Sequence, residues 1–204
     1  MPKIAEIEHT PNPNAVKFIL KEPVAMGLPK SFPDVVIAQA DPLATALFAV
    51  GHVVSVFMQD KVLTVTKDDG IGWTELLPKL APPIRSAPAI TGEAPAAGPT
   101  APRFAISASG EATPIEDDPI LQQVARVLAE TILPALAADG GGLEIIGRHD
   151  KQVMIRYQGA CSTCPASMTG TLMALEGILQ KDVDPEIVVI TVCYQVLPSW
   201  LSES

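Results

Sequence analysis

Positive charge, aromatics, cysteine and long apolar runs are all scarce in this chain, and each shortage removes a class of function. Only 14 of its 204 residues are Lys or Arg, against 23 Asp or Glu, for a formal net charge of −9. An acidic surface with no Lys/Arg cluster repels phosphate backbones and anionic lipid heads, so neither nucleic acid nor a membrane is an expected partner. Three cysteines cannot build a disulfide framework, and the odd count suits a reducing compartment. Aromatics make up 4%, so the cores must come mainly from Val, Ile, Leu, Ala and Met. No apolar run approaches the roughly 20 residues a spanning helix needs. The opening MPKIAEIEHT has neither the apolar core of a signal peptide nor the Arg/Ser-rich character of a transit peptide. The expected location is the cytoplasm, or an organelle matrix if a leader has been removed.

What is present is a globular composition, 48% apolar, on a chain long enough for two small domains. Six prolines (82, 83, 88, 95, 99 and 102) fall among Ala, Gly, Ser and Thr between Ala81 and Pro102. Proline removes backbone donors, and the small residues offer no surface to bury. This marks residues 86–114 as a flexible Pro/Ala-rich linker between a domain over 1–85 and another over 115–204. The second domain carries most of the net negative charge, five basic against twelve acidic residues.

Both domains are predicted to be α+β, each a small layered α/β structure. In the first, Lys3–His9, Ala15–Leu20 and Val35–Ala38 are expected to be extended, with a turn at Thr10-Pro11-Asn12-Pro13-Asn14. That turn is a stiff corner or a client-binding edge, and the turn reading is preferred. Asp41–Pro42 has the form of an N-cap followed by a first helical position, and Gly51 closes the helix. Val53–Met58 and Val62–Thr66 form a hairpin across Gln59-Asp60-Lys61, and a last helix begins near Trp73.

In the second domain, Ile120, Val124, Val127, Leu128, Ile132 and Leu136 recur at helical spacing, so a long helix starts near Asp117. Glu116-Asp117-Asp118 suits its positive end, Pro134 should kink it, and Gly140-Gly141-Gly142 ends it. Two strands follow, Leu143–Gly147 and Gln152–Gln158. Next come a helix over Pro165–Gln180, with Met168, Leu172, Leu175 and Leu179 facing inward, and a strand over Ile187–Cys193. The order is α-β-β-α-β, with the last two strands parallel if they share a sheet.

The chemistry concentrates at Gly159-Ala160-Cys161-Ser162-Thr163-Cys164-Pro165, between a strand and a helix. Two thiols three positions apart on such a turn can address one ligand. Pro165 fits a first helical position, which would make Cys164 the N-cap, where unpaired N–H groups and the helix dipole favour thiolate. Structural zinc would need a second ligand pair at suitable spacing, which is missing. A thioredoxin-like dithiol also sits between strand and helix, but the βαβ unit that should precede it is absent. A cubane iron–sulfur cluster needs four thiolates, which two copies of the chain would supply together. On the residues alone, cluster or metal binding and thiol redox exchange stand level. Cys193 alternates with Ile187, Val189 and Thr191 and is read as a core residue. His9, His52 and His149 are scattered surface or turn positions. The Gly140–Gly142 run ends a helix instead of beginning one, so it is no phosphate loop, and Asp139 is a turn residue beside it.

These residues carry a family resemblance. The stretch from Leu136 to Leu179, with Asp139-Gly140-Gly141, Gly159–Pro165, Thr171-Leu172 and Leu175–Ile178, resembles the C-terminal NifU-like (Nfu) domain. Ala166, Met168 and Leu175 depart mildly from the family pattern. His9–Phe18, Asp41–Phe48, Val53–Lys67 and Trp73 are similar to the Nfu N-terminal domain. The resemblance implies a non-enzymatic iron–sulfur carrier with a [4Fe–4S] cluster bound by Cys161 and Cys164 and shared between two chains. It also implies a homodimer when loaded, cluster-donor assembly proteins upstream, and apo iron–sulfur clients downstream.

Overall fold

The computed structural model describes residues 2–26, 29–88, 105–106, 112–113, 118–163 and 170–192. The described residues fall into two compact units. One takes in those of Met1–Ala97 with Asp139–Gly141 and Gly159–Thr163; the other takes in those of Gly98–Ala138, Gly142–Gln158 and Cys164–Ser204.

The first unit is built on a five-stranded antiparallel sheet. Its strands are β1 (Ile4–His9), β2 (Ala15–Leu20), β3 (Lys30–Phe32), β4 (Val53–Gln59) and β5 (Val62–Lys67), in the order β1-β2-β5-β4-β3. Strands β1 and β2 turn at the Pro/Asn segment, and β4 and β5 at Asp60-Lys61, where Asp60 takes a left-handed φ of 51°. Because successive strand side chains point to opposite faces, Val16, Phe18 and Leu20, Leu63 and Val65, and Val56 and Met58 share one face. Two helices cover it: α2 (Pro42–Phe48) through Leu43, Ala44 and Leu47, and α3 (Trp73–Ser86) through Leu76, Leu80 and Ile84. Asp41 caps α2 as expected, accepting from the N–H groups of Leu43 and Ala44. Helix α3 runs through Pro78, Pro82 and Pro83, so the first prolines of the Pro-rich stretch lie in a helix.

One sequence expectation is overturned here. Val35–Ala38 is a one-turn helix (α1) and not extended, because the Asp34 carboxylate accepts from the N–H groups of both Val36 and Ile37. A cap satisfying two orphan donors outweighs the strand preference of three β-branched residues. The strand in that region is β3, immediately upstream.

Most of the expected linker, 86–114, lies outside the described residues. Within it, β6 (Ala105–Ile106) pairs antiparallel with β7 (Ala112–Thr113).

In the second unit, α4 (Pro119–Thr131) starts on Asp118, whose side chain accepts from the N–H groups of Ile120 and Leu121. It breaks at Ile132 and resumes as α5 (Leu133–Ala138), because Pro134 has no N–H to continue the ladder. Strands β8 (Gly141–His149), β9 (Gln152–Gly159) and β10 (Val188–Thr191) form a sheet in the order β10-β9-β8, with β10 parallel to β9. Helix α6 (Leu172–Asp182) crosses between them, so the α-β-β-α-β order and the parallel pair are both present. Leu121, Val124 and Leu128 of α4, Val153 and Ile155 of β9, and Leu175 and Leu179 of α6 are buried. Met168, part of the expected inner stripe, lies outside the described residues. Glu176 of α6 accepts from the N–H of Val189, and Arg148 binds Asp118 at 2.9 Å, fixing β8 to the start of α4.

Candidate metal-binding loop

Strand β9 leaves its sheet at Gly159, where φ is +62°, a left-handed value that disfavours any residue with a Cβ. A Cβ there would also lie 2.6 Å from the Gly140 carbonyl oxygen and 3.0 Å from Phe57 Cδ1. The chain then makes one 3₁₀ turn, Ala160–Thr163, that carries Cys161. One hydrogen bond folds this turn back on itself and a second ties it to the Gly140 backbone. Ser162 Oγ donates to the Gly159 carbonyl at 2.8 Å, and the Ala160 N–H donates to the Gly140 carbonyl at 3.2 Å.

Cys161 is buried, with 3% of its surface exposed. Cys164, the other expected ligand, lies outside the described residues, as do Pro165 and Cys193. The expectation that Cys164 caps a helix opened by Pro165 falls there too; the described α-helix begins at Leu172. Among the described residues, no group of three or more His, Cys, Asp or Glu side chains is placed to hold a metal ion. His9 and His52 are exposed and His149 half-buried, and His52 pairs with Asp68 at 3.0 Å. Asp139 is exposed and leads into Gly140, itself at φ +76°.

One residue at the loop was missed as a loop contact. Asn12, in the Pro/Asn turn, is 3% exposed. Its Oδ1 accepts from the Asn14 N–H at 3.0 Å and so builds the turn. Its Nδ2 donates at 2.9 Å to the Ala160 carbonyl and at 2.9 Å to Thr163 Oγ1. The amide therefore holds both ends of the 3₁₀ turn. Sequence gave a signal for the Oδ1 role, since Asn is a preferred turn residue. It gave none for the Nδ2 role, whose partners lie 148 and 151 positions away.

The sheet face beside this loop is unusual in composition. Opposite the helix-covered face, β2, β5 and β4 present Ala15, Lys17, Thr64, Thr66, Ser55 and Phe57, all buried. Lys17, Thr64 and Phe57 lie in one cross-strand row, and Ala15, Thr66 and Ser55 in the next. Lys17 reaches Glu8 at 2.6 Å. The hydroxyls of Ser55, Thr64 and Thr66 have no hydrogen-bond partner among the described residues. A Cβ at Gly140 would come within 2.9 Å of Thr64 Oγ1, so bare backbone at this position packs directly on the polar face.

Comparison with known proteins places the two halves separately. Residues 4–88 match the family model described as the scaffold protein Nfu/NifU N terminal, and residues 124–190 match that of the NifU-like domain. The chain is 32% identical over 181 residues to the human protein named NFU1 iron-sulfur cluster scaffold homolog, mitochondrial. That match covers 86% of this chain and 66% of the human protein. It is 31% identical over 180 residues to NifU-like protein 4, mitochondrial, of Arabidopsis thaliana, covering 85% and 60%. The chain thus spans 66% and 60% of the lengths of these two relatives. Among solved structures, a crystal structure of a Staphylococcus aureus protein aligns with a TM-score of 0.36 at 27% identity, over 40% of this chain and 96% of that one.

Proposed function

The chain belongs to the Nfu/NifU family of iron–sulfur cluster scaffold proteins, and from that premise we propose that it carries a [4Fe–4S] cluster held between two copies of itself by Cys161 and Cys164. The observation that supports this most is the pair of thiols three positions apart in the sequence that follows β9, inside the region matching the NifU-like domain. A cubane cluster takes four thiolates, and the motif offers two per chain, so a symmetric pair of chains completes the set.

The cluster is cargo, and the chain's part is to hold and release it. Transfer to an apo-protein proceeds by ligand exchange. An incoming client thiolate forms an Fe–S bond as one to Cys161 or Cys164 breaks, and the departing cysteine keeps its electron pair as thiolate. No electron changes hands in that step, and no substrate bond is made or broken catalytically. The protein is a carrier, supplied by assembly proteins and emptied by apo iron–sulfur clients. Its thiolate ligands require a reducing compartment, the cytoplasm or an organelle matrix. Among the described residues no helix is long and apolar enough to cross a membrane.

Anaerobic reconstitution with iron and sulfide, followed by metal and sulfide analysis of the sized product, tests this. The expected product is a brown dimer with one [4Fe–4S] cluster per two chains. Cys161→Ser and Cys164→Ser each abolish cluster uptake, while Cys193→Ser retains it. A colourless monomer taking up neither iron nor sulfide overturns the proposal in favour of a thiol–disulfide exchanger. Uptake lost in Cys193→Ser alone overturns the ligand assignment.

A further inference from the structure

A cysteine that is to reach a partner chain or an incoming thiolate must be presented, yet Cys161 is 3% exposed. Its loop, residues 159–163, belongs to the same compact unit as the five-stranded sheet. We propose that Asn12 and the polar face of that sheet form a clasp that closes over the cysteine loop and keeps the Cys161 thiol out of reach until the loop lifts away. The proposal rests on the carrier reading for its purpose, but the clasp itself is a property of the chain without cargo.

Three observations converge. The Asn12 amide donates to the first residue of the 3₁₀ turn through Ala160 O and to the last through Thr163 Oγ1, both at 2.9 Å. Gly140 and Gly159 bring bare backbone onto Thr64 and Phe57, where an added Cβ would lie 2.9 Å from Thr64 Oγ1 and 3.0 Å from Phe57 Cδ1. Apart from Ala15 and Phe57, the buried face is made of Lys17, Ser55, Thr64 and Thr66, residues suited to water.

That last point makes the clasp reversible. An apolar face buried to this extent would stay shut, because opening it would return hydrocarbon to water. Here the buried Thr64 hydroxyl, which has no partner among the described residues and lies against Gly140, regains a hydrogen bond to water when the loop departs. The closed state is therefore held by a few directional contacts and by Phe57, over a surface that is otherwise largely polar. Asn12 is a positioning residue, acting through the Ala160 carbonyl and Thr163 Oγ1.

The test uses full-length protein in which Cys164→Ser and Cys193→Ser leave Cys161 as the sole thiol. The readout is the rate of Cys161 alkylation by a small maleimide under native conditions. Asn12→Asp keeps the Oδ1 that accepts from Asn14 but replaces the donating amide with an oxygen facing the Ala160 carbonyl. It is expected to raise the alkylation rate roughly 10-fold or more, the scale on which two neutral hydrogen bonds shift an opening equilibrium. Thr163→Val, at an exposed position that leaves the fold intact, is expected to raise it about 3- to 10-fold by removing one bond. Unchanged rates in both variants overturn the clasp, and if Asn12→Asp fails to fold, Thr163→Val decides alone. Because this single-thiol protein lacks a proposed ligand, a failure of the clasp shows here, whereas a failure of the carrier reading shows in reconstitution of the parent chain.

Discussion

The two faces of the five-stranded sheet come from the same strands and differ in almost every other respect. On one, Val16, Phe18, Leu20, Leu63, Val65, Val56 and Met58 meet two helices in a single apolar core. On the other, one residue along each strand, Lys17, Thr64, Thr66 and Ser55 are also buried but bring polar groups, beside Ala15 and Phe57. The first face supplies cohesion proportional to area, which is indifferent to direction and hard to reverse. The second gains less from burial, outside Phe57 and Ala15, and relies more on placed contacts such as those of Asn12. A sheet can thus hold its fold with one set of alternate residues and keep the other for a contact that has to be made and unmade.

The contrast is broken most forcefully by Phe18→Ala, which empties a fully buried site on the apolar face. It should cost about 3–5 kcal/mol in denaturant unfolding; a loss under about 1 kcal/mol would mean that this face is not the stabilising one. A sharper version exchanges the character of two neighbours on β5. Val65→Thr buries a new hydroxyl among apolar side chains and should cost about 1–3 kcal/mol. Thr64→Val removes a hydroxyl that has no partner among the described residues, so the midpoint should hold or rise. If both substitutions destabilise alike, the two faces are energetically equivalent and the comparison fails.

The smallest effect is expected at the sheet's rim. The Gly70 N–H and then His52 hydrogen-bond the exposed Asp68 carboxylate and hold its pKa below the ordinary aspartate value. A depressed carboxylate contributes stability above its unfolded pKa and loses it as pH falls through the folded value. Asp68→Asn should therefore lower the melting temperature slightly at pH 7 and make no difference at pH 2. A larger gap at pH 2 than at pH 7 would reverse the sign of this assignment.

Local chemistry made most of the elements legible. Asp41-Pro42, Asp118-Pro119 and the strand from Ala15 to Leu20 each carry their own signal in a few adjacent residues. The same holds for the start of the cysteine loop, announced by Gly159, while Cys164 and Pro165 lie outside the described residues. Where sequence misled, at Val35–Ala38, two local signals competed and the Asp34 cap prevailed over β-branching. The polar sheet face was illegible for another reason. Alternating polar residues normally face solvent, so Lys17, Thr64 and Thr66 gave no hint of burial, and their neighbours Gly140 and Gly159 are distant in sequence. Asn12 was visible as a turn-former and invisible as a donor to residues far along the chain.

Gly159 also bears on protein engineering. Its left-handed φ and its approach to the Gly140 carbonyl mean that the path of the cysteine loop is set by a second backbone segment from another part of the chain. A peptide spanning 158–165, or the same eight residues grafted onto a foreign hairpin, would carry both thiols but leave behind the carbonyl that shapes their turn. The transplantable part is larger than the motif: it must include Gly140, which precedes β8, and a host strand able to leave its sheet at a residue without a side chain.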